Sequence, residues 1–574
     1  MNESEVSLLG LHIADAAVLL LYLGVISVIG IRAAKLVTNL GTFFMPRRFG
    51  KVMLSFFAFG TGTHSDQAVS VASKTYTNGL SGIWYQWLWL FCTPFYWLIA
   101  PMMRRFRAIT MADVLSLRYN RSIAFLFALV GMLQLMVNIG VMLKGSGAVV
   151  ASCFGGAVSA DTVILAMTVI FVVYGIAGGL SAAVITDFIQ GILTVLFSFL
   201  LLPFVMEAVG GLPGLHRSIG DRSMFSLVAP AEIGFFYIVV IAFNALVGIV
   251  TQPHTMGNCA AGRTEMDGRV GFTAGNFIKR ICTMAWCLTG LAGVTYFSGR
   301  SIHPDQVFGL IAADFLPRIM PGLLGLFLAS LLASVMSSCD AFMVASSALF
   351  TENIYKQALP ERSDRHYVTV ARIASLVIVA GGVLFAFRLP GVVKGLEIFW
   401  KVSPMIGMAF WLGFFWRRAT AAGAWAATLT GFGVWWLTSL GFVVRFLGAL
   451  PGADALRLTI DKGAGAEIYL PWQMILYLSA GSLLGIVLSL LTRPESPEKL
   501  DRFFELARTP VRTGEPPPGE ACRLPEGVRP ASPDNLIRAG GLEIQKPGPV
   551  SIAGFVVCWA VVAALIGFFY LITQ

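Results

Sequence analysis

Two short runs hold the residues best suited to doing chemistry. Gly60-Thr61-Gly62-Thr63 is followed by His64, Ser65, Asp66 and Gln67, and Asn244 and Gly248 are followed by Thr251-Gln252-Pro253-His254. Both lie inside otherwise apolar stretches. Glycine weakens a helix and proline removes a backbone donor, so neither run continues a helix well. Such a break leaves carbonyls and amides without helical partners, and in apolar surroundings it survives only where it lines a cavity or is buried in protein. The chemistry on offer is recognition by backbone oxygens and a few polar side chains. Covalent chemistry has no comparable support: no HExxH, GxSxG or P-loop pattern accompanies these residues, and neither enzymatic activity nor an organic cofactor is expected.

The elements that must hold the two runs are membrane helices. The 574 residues are 56% hydrophobic and only 13% charged, with a mean hydropathy of +0.77. A soluble domain carries roughly 25% charged residues, so a soluble enzyme, a disulfide scaffold and a nucleic-acid-binding domain are excluded. The composition predicts an all-α polytopic membrane protein. About 14 apolar runs approach the roughly 20 residues that cross a bilayer, beginning near residues 11, 51, 80, 121, 160, 182, 231, 270, 320, 366, 395, 420, 470 and 549.

The net charge of +10 belongs to the loops. Placing alternate loops in the cytoplasm puts about 29 of the 41 Lys and Arg residues inside. Arg47, Arg48 and Lys51, then Arg104, Arg105 and Arg107, then Arg417 and Arg418 decide the bias. The expectation is a multi-pass cell-membrane protein with both termini outside. The first apolar run follows an acidic tail, MNESEV, and reads as a retained span rather than a signal peptide. The eight cysteines show no metal-ligand spacing. Residues 1–492 are expected to form the membrane domain, with core spans 2–11 at about 51–418. Residues 493–548, rich in Pro, Arg and Glu, read as a cytoplasmic and largely disordered linker, and 549–574 as a final helix.

Five spans separate the two breaks, so each break opens a five-span block. Paired interruptions at matching positions in two halves point to an inverted-repeat secondary transporter with a site near the bilayer midplane.

The chain also resembles the sodium:solute symporter family over roughly residues 10 to 490. The resemblance rests on TFFMPRRFGK, YGIAGGLSAAVITDFIQ, LASLLASVMSSCDAFMVASSALFTENIY and VSPMIGMAFWLGFFWRR, in that order and spacing. A fourteenth span after a long inside loop is similar to the sugar-transporting branch. The resemblance implies a LeuT-type fold with spans 2–6 and 7–11 as its repeats. Sodium, a hard cation, takes oxygen ligands. By position in the family these are the carbonyls of Gly60, Thr63 and Ser334 and the hydroxyls of Ser337 and Ser338. Asp187, in ITDFIQ, matches an acidic residue near this ion and acts directly or through charge alone.

The same resemblance implies a solute site. Asp66-Gln67 matches an acidic–amide pair that binds sugar hydroxyls in that branch, and Tyr85-Gln86-Trp87 is similar to its Tyr-Glu-Trp. Asn244 and Lys279 fall at sugar-contacting positions, although Lys279 could equally snorkel to the interface. The chain departs from the branch at Val247, where an aromatic gate is usual, at Leu396, where a sugar-binding Gln stands, and at His64, usually a small residue. The expected activity is sodium-coupled import of a small polar solute, a sugar or polyol being favoured. An amino acid or small amine drawn to Asp66, and a solute sensor on a transporter scaffold, remain alternatives. The expected partners are the solute, sodium and the bilayer, with no nucleic acid.

Overall fold

The computed structural model describes residues 7–8, 11–33, 44–45, 47–155, 157–229, 232–461, 465–512, 514–515 and 520–574, with backbone alone at 7–8, 30–31, 33, 173–183, 185–186 and Ser337. Among these, eight helices are long and apolar enough to cross a membrane, or up to ten if each of two bent pairs is one span. The sequence suggested about 14; the first of these is a shorter apolar helix over Ile13–Ile29, and the rest of the shortfall falls on broken or merged spans. The second expected span is split into Lys51–Gly62 and Ser65–Asn78. The third is divided among a 3₁₀ turn at Gly79–Ile83, a short helix at Trp84–Trp87 and Thr93–Arg105. The spans expected from 160 and 182 share one continuous helical backbone, Ala160–Ala208.

Ser65–Asn78 shows most plainly where the molecule departs from an ordinary apolar core. Asp66, Gln67, Ser70, Ser73 and Thr75 on this helix are all buried. Burying so many polar groups costs free energy unless each finds a partner, so the helix must sit among polar neighbours. The helix Glu265–Tyr296 runs beside both halves of the break. Glycines let it come close: a Cβ on Gly275 would lie 2.3 Å from the Ser55 carbonyl oxygen, one on Gly271 2.4 Å from the Leu54 Cβ, and one on Gly290 2.6 Å from the Ala72 carbonyl oxygen. Small residues at such crossings let membrane helices approach backbone to backbone. On the other side lies Leu323–Phe350, whose first turn has orphan amides. Asp15, buried on the helix Ile13–Ala33, accepts a 2.8 Å hydrogen bond from the Gly325 amide and satisfies one of them.

The second break separates Phe235–Ile249 from Pro253–Ala260, with a 69° bend between them. Pro253 opens the second half, where its missing N–H costs nothing. Thr251 ties the corner with a hydroxyl that lies 3.0 Å from both the Gly248 and the Ser403 carbonyls and shares its one proton between them.

The segment 493–548 has more structure than its composition suggested. It holds a helix, Pro497–Arg508, and a hairpin of Asn535–Ala539 with Leu542–Gln545. The composition looked irregular because the segment's partners lie elsewhere in the chain. Phe503 and Phe504 are buried, with Phe503 5.2 Å from the Phe106 ring. Its carboxylates meet the basic clusters that set the charge bias. Glu515 pairs with the fully buried Arg107 at 2.6 Å, Glu543 with Arg417 at 2.7 Å, and Asp501 with Arg417 at 2.5 Å.

Burial alone would raise the Glu515 carboxyl, but the hydrogen bonds and charge of Arg107 outweigh it and hold it below its ordinary value. A depressed carboxyl contributes fully above its unfolded value and loses that contribution as pH falls through the lower folded value. Acid should therefore loosen the segment. Hydrogen exchange over 497–515 should accelerate in the wild type below the ordinary carboxylate range, and in Glu515→Gln already at neutral pH. Unchanged exchange in that variant would show that the pair does not hold the segment.

Candidate functional site

Helical backbone stops at Gly62 and resumes at Ser65, with Thr63 (φ −130°, ψ 107°) and His64 (φ −131°, ψ 164°) extended between. In a continuous helix the Gly60 and Gly62 carbonyls would accept from residues 64 and 66. Here they take partners from elsewhere, and the two turn to different neighbours.

The Gly60 carbonyl accepts from the Ser338 hydroxyl at 2.9 Å and from the Thr63 amide at 3.2 Å. The Ser338 hydroxyl also lies 3.1 Å from the Ser334 carbonyl. One hydroxyl carries one proton, so it cannot fully serve two carbonyls. Three oxygens thus converge where the break meets the helix Leu323–Phe350, a donor set suited to a hard cation. Asp187, fully buried, sits behind the break, where the Thr61 hydroxyl donates to it at 3.4 Å. Thr63 caps the first half-helix. The side chain of Ser337 lies outside the described residues.

The Gly62 carbonyl turns the other way. It accepts from the Gln67 side-chain amide at 2.9 Å and from the Lys279 ammonium. Both donors line a cavity of about 60 Å³, together with His64, Gln86, Gln252 and His254. Aromatic walls come from Trp89, Phe342, Phe399 and Trp400. The cavity is small, with polar groups set among apolar walls.

Of the six residues expected to touch solute, Gln67, Gln86 and Lys279 line this cavity, and Asp66, Tyr85 and Asn244 do not. Asp66 is fully buried, bonds to the His64 imidazole, and packs so closely that a Cβ on Gly145 would lie 2.5 Å from its own. Tyr85 lines a separate cavity of about 950 Å³ toward the hairpin of Thr459–Asp461 and Ala466–Ile468, and donates to Glu397 at 3.2 Å. Its ring lies 5.1 Å from that of Trp400, so these residues form a layer between the two cavities. Asn244 donates to the Trp400 carbonyl at 2.9 Å and accepts from the Tyr477 hydroxyl. Both ends of its amide are thus engaged, and it ties three helices together.

Several lining residues were not singled out from sequence. Asn276 and Arg280 lie three residues before and one after Lys279, on the same face of one helix. A helical wheel centred on Lys279 would have found them. Gln252 and His254 were read only as parts of a break. Val247, at the position of an aromatic gate, faces an apolar groove beside Trp411 and Phe415 instead.

Two helices broken at matching places, a serine-bearing helix against the first break and a polar cavity beside it define an inverted-repeat membrane transporter of LeuT fold. The chain belongs to the sodium:solute symporter family, whose model matches residues 43–431. It is 24% identical over 458 residues to the sodium/pantothenate symporter of Escherichia coli, covering 76% of this chain and 92% of that one. It is 25% identical over 402 residues to the sodium/glucose cotransporter of Vibrio parahaemolyticus, covering 63% and 72%. Among solved structures, a substrate-bound, outward-open sodium-coupled sialic acid symporter superposes with a TM-score of 0.68 at 18% identity, covering 84% of this chain and 98% of that one.

Ser338→Ala removes the hydroxyl that bridges the two carbonyls. Sodium affinity of the purified protein, read by sodium-dependent thermal stabilisation, should weaken about 5- to 150-fold, the range for a lost buried polar partner of roughly 1–3 kcal/mol. Wild-type sodium dependence in a folded Ser338→Ala protein would remove Ser338 from the ion site.

Proposed function

We propose that the protein is a sodium-coupled symporter that imports a small polar organic solute by alternating access. The observation that carries this reading is the division of one helix break, with the Gly60 carbonyl turned to Ser338 and the Gly62 carbonyl to Gln67 and Lys279. Sodium would bind the carbonyls of Gly60, Thr63 and Ser334 and the hydroxyls of Ser337 and Ser338, with the Ser338 proton turned aside and Asp187 supplying negative charge. Solute would occupy the cavity beside Gln67, Gln86 and Lys279.

Sodium would draw the break and the helix Leu323–Phe350 together and order the cavity. Its release would loosen that contact and let solute leave. A ligand shifts such an equilibrium only by its differential affinity for the two states. The driving force is adequate: a tenfold sodium gradient gives about 1.4 kcal/mol, and a potential of about −100 mV adds about 2.3 kcal/mol per charge. One sodium per neutral solute would sustain an accumulation of several hundredfold. The basic clusters and the segment 493–548 would face the cytoplasm, and Tyr85, Glu397 and Trp400 would close the path from outside.

The relatives named above carry pantothenate and glucose, which supports a small polar solute here. Asp66 bonds to His64 and stands off the cavity, which weighs against an amine held by that carboxylate. Proteoliposomes loaded with pantothenate, D-glucose, myo-inositol and L-proline should exchange at least one labelled solute in counterflow, faster in sodium than in potassium. Sodium-dependent binding of one of them without any counterflow would favour the sensor.

A further inference from the structure

The charges around the cavity are unbalanced. Lys279 and Arg280 line it, and its lining contains no Asp or Glu. The nearest carboxylate on the broken helix, Asp66, stands off the lining and bonds to His64 through Oδ1, with its Oδ2 buried and unpartnered. Lys279 is 5% exposed, and its ammonium has one hydrogen-bond acceptor among the described residues, the Gly62 carbonyl. A buried ammonium with two N–H groups left over is costly unless an anion meets it. Arg280 donates to the Gln86 carbonyl at 2.8 Å, while its Nε has no partner.

Two further features carry the same sign. Pro253–Ala260, the second half of the second broken helix, begins at the cavity with no side-chain cap and no acidic residue in its first turn, so its positive end points at the cavity, whereas the matching end at Ser65 is offset by Asp66 in its own first turn. The Nε2 of Gln252, a donor, and the Nδ1 of His254, a donor in one tautomer, are buried there without partners. Acceptors are present as well, since the amide oxygens of Gln67, Gln86, Asn138 and Asn258, all on lining residues, are also unsatisfied. A solute that meets all of these brings both an anionic acceptor and hydroxyl donors.

We propose that the transported solute is a small hydroxylated carboxylate whose carboxylate is held by Lys279, with His254 and Gln252 facing it and its hydroxyls directed to Gln67 and Gln86. This rests on the symporter reading and replaces the neutral sugar with an organic anion. Lys279 then exchanges part of its hold on the Gly62 carbonyl for the solute, which places the anion one residue from the start of the break.

The test uses the purified full chain and two matched series: glycerate, glycerol and serinol, and glucuronate, glucose and glucosamine. In sodium, the acid of at least one series should bind about tenfold or more tighter than its neutral and cationic counterparts. Lys279→Gln should erase that preference, and Lys279→Arg, which keeps the charge, should retain it. Equal binding by a neutral or cationic member, a preference that survives Lys279→Gln, or failure of both acids to bind would overturn the proposal. Sodium-dependent thermal stabilisation without solute separates the two readings. If it persists while the anion preference fails, the solute class is wrong and the symporter reading stands; if it is absent, both fall.

Discussion

Everything at the centre of this molecule depends on carbonyls that a helix cannot satisfy by itself. Between Gly62 and Ser65 the backbone is extended, and in an apolar interior its oxygens must find other donors. Gly60 finds Ser338, and Gly62 finds Gln67 and Lys279. The two carbonyls are two residues apart on one short stretch of chain, so a ligand that moves one of them moves the other. If ion and solute bind as proposed, their coupling needs no long pathway, only a stiff break with a different partner on each side.

The rest of the fold keeps those partners in reach. Gly271, Gly275 and Gly290 let the helix Glu265–Tyr296 lie against both half-helices, which brings Lys279 to the Gly62 carbonyl. Asp15 holds the start of the serine helix through the Gly325 amide. Asn244 and Thr251 fix the second break to the helix Val392–Phe415, whose Trp400 separates the inner cavity from the larger one. On the side of the basic clusters, Arg105 makes a two-pronged pair with Glu265 at 3.0 Å, and Glu265 also accepts from the Val511 amide at 2.7 Å. The segment 493–548 is thereby bound to the entry of the helix that carries Lys279.

Much of this was legible in the sequence because glycine and proline act locally. The two breaks announced themselves as Gly60-Thr61-Gly62-Thr63 and Thr251-Gln252-Pro253-His254, and their spacing gave the repeat. The composition gave the membrane class. The identity of the cavity wall was not legible in the same way, since it depends on which face of a helix turns inward. Asp66 and Gln67 are adjacent in sequence, yet one bonds to the His64 imidazole without lining the cavity itself and the other reaches the cavity. Tyr85 and Gln86 part similarly. The segment 493–548 looked irregular because its charged residues are partnered by Arg107 and Arg417, from 84 to 408 residues away, and composition carries no such pairing.

The central claim is that one break joins the ion side to the cavity side. It is tested most directly by a double-mutant cycle on sodium affinity, using Lys279→Gln and Ser338→Ala singly and together without added solute. Lys279 has no place among the proposed ion ligands, so separate sites would give additive effects, within about 0.3–0.5 kcal/mol. A shared break predicts a coupling energy of about 0.5–3 kcal/mol. Additivity in folded proteins would contradict the account.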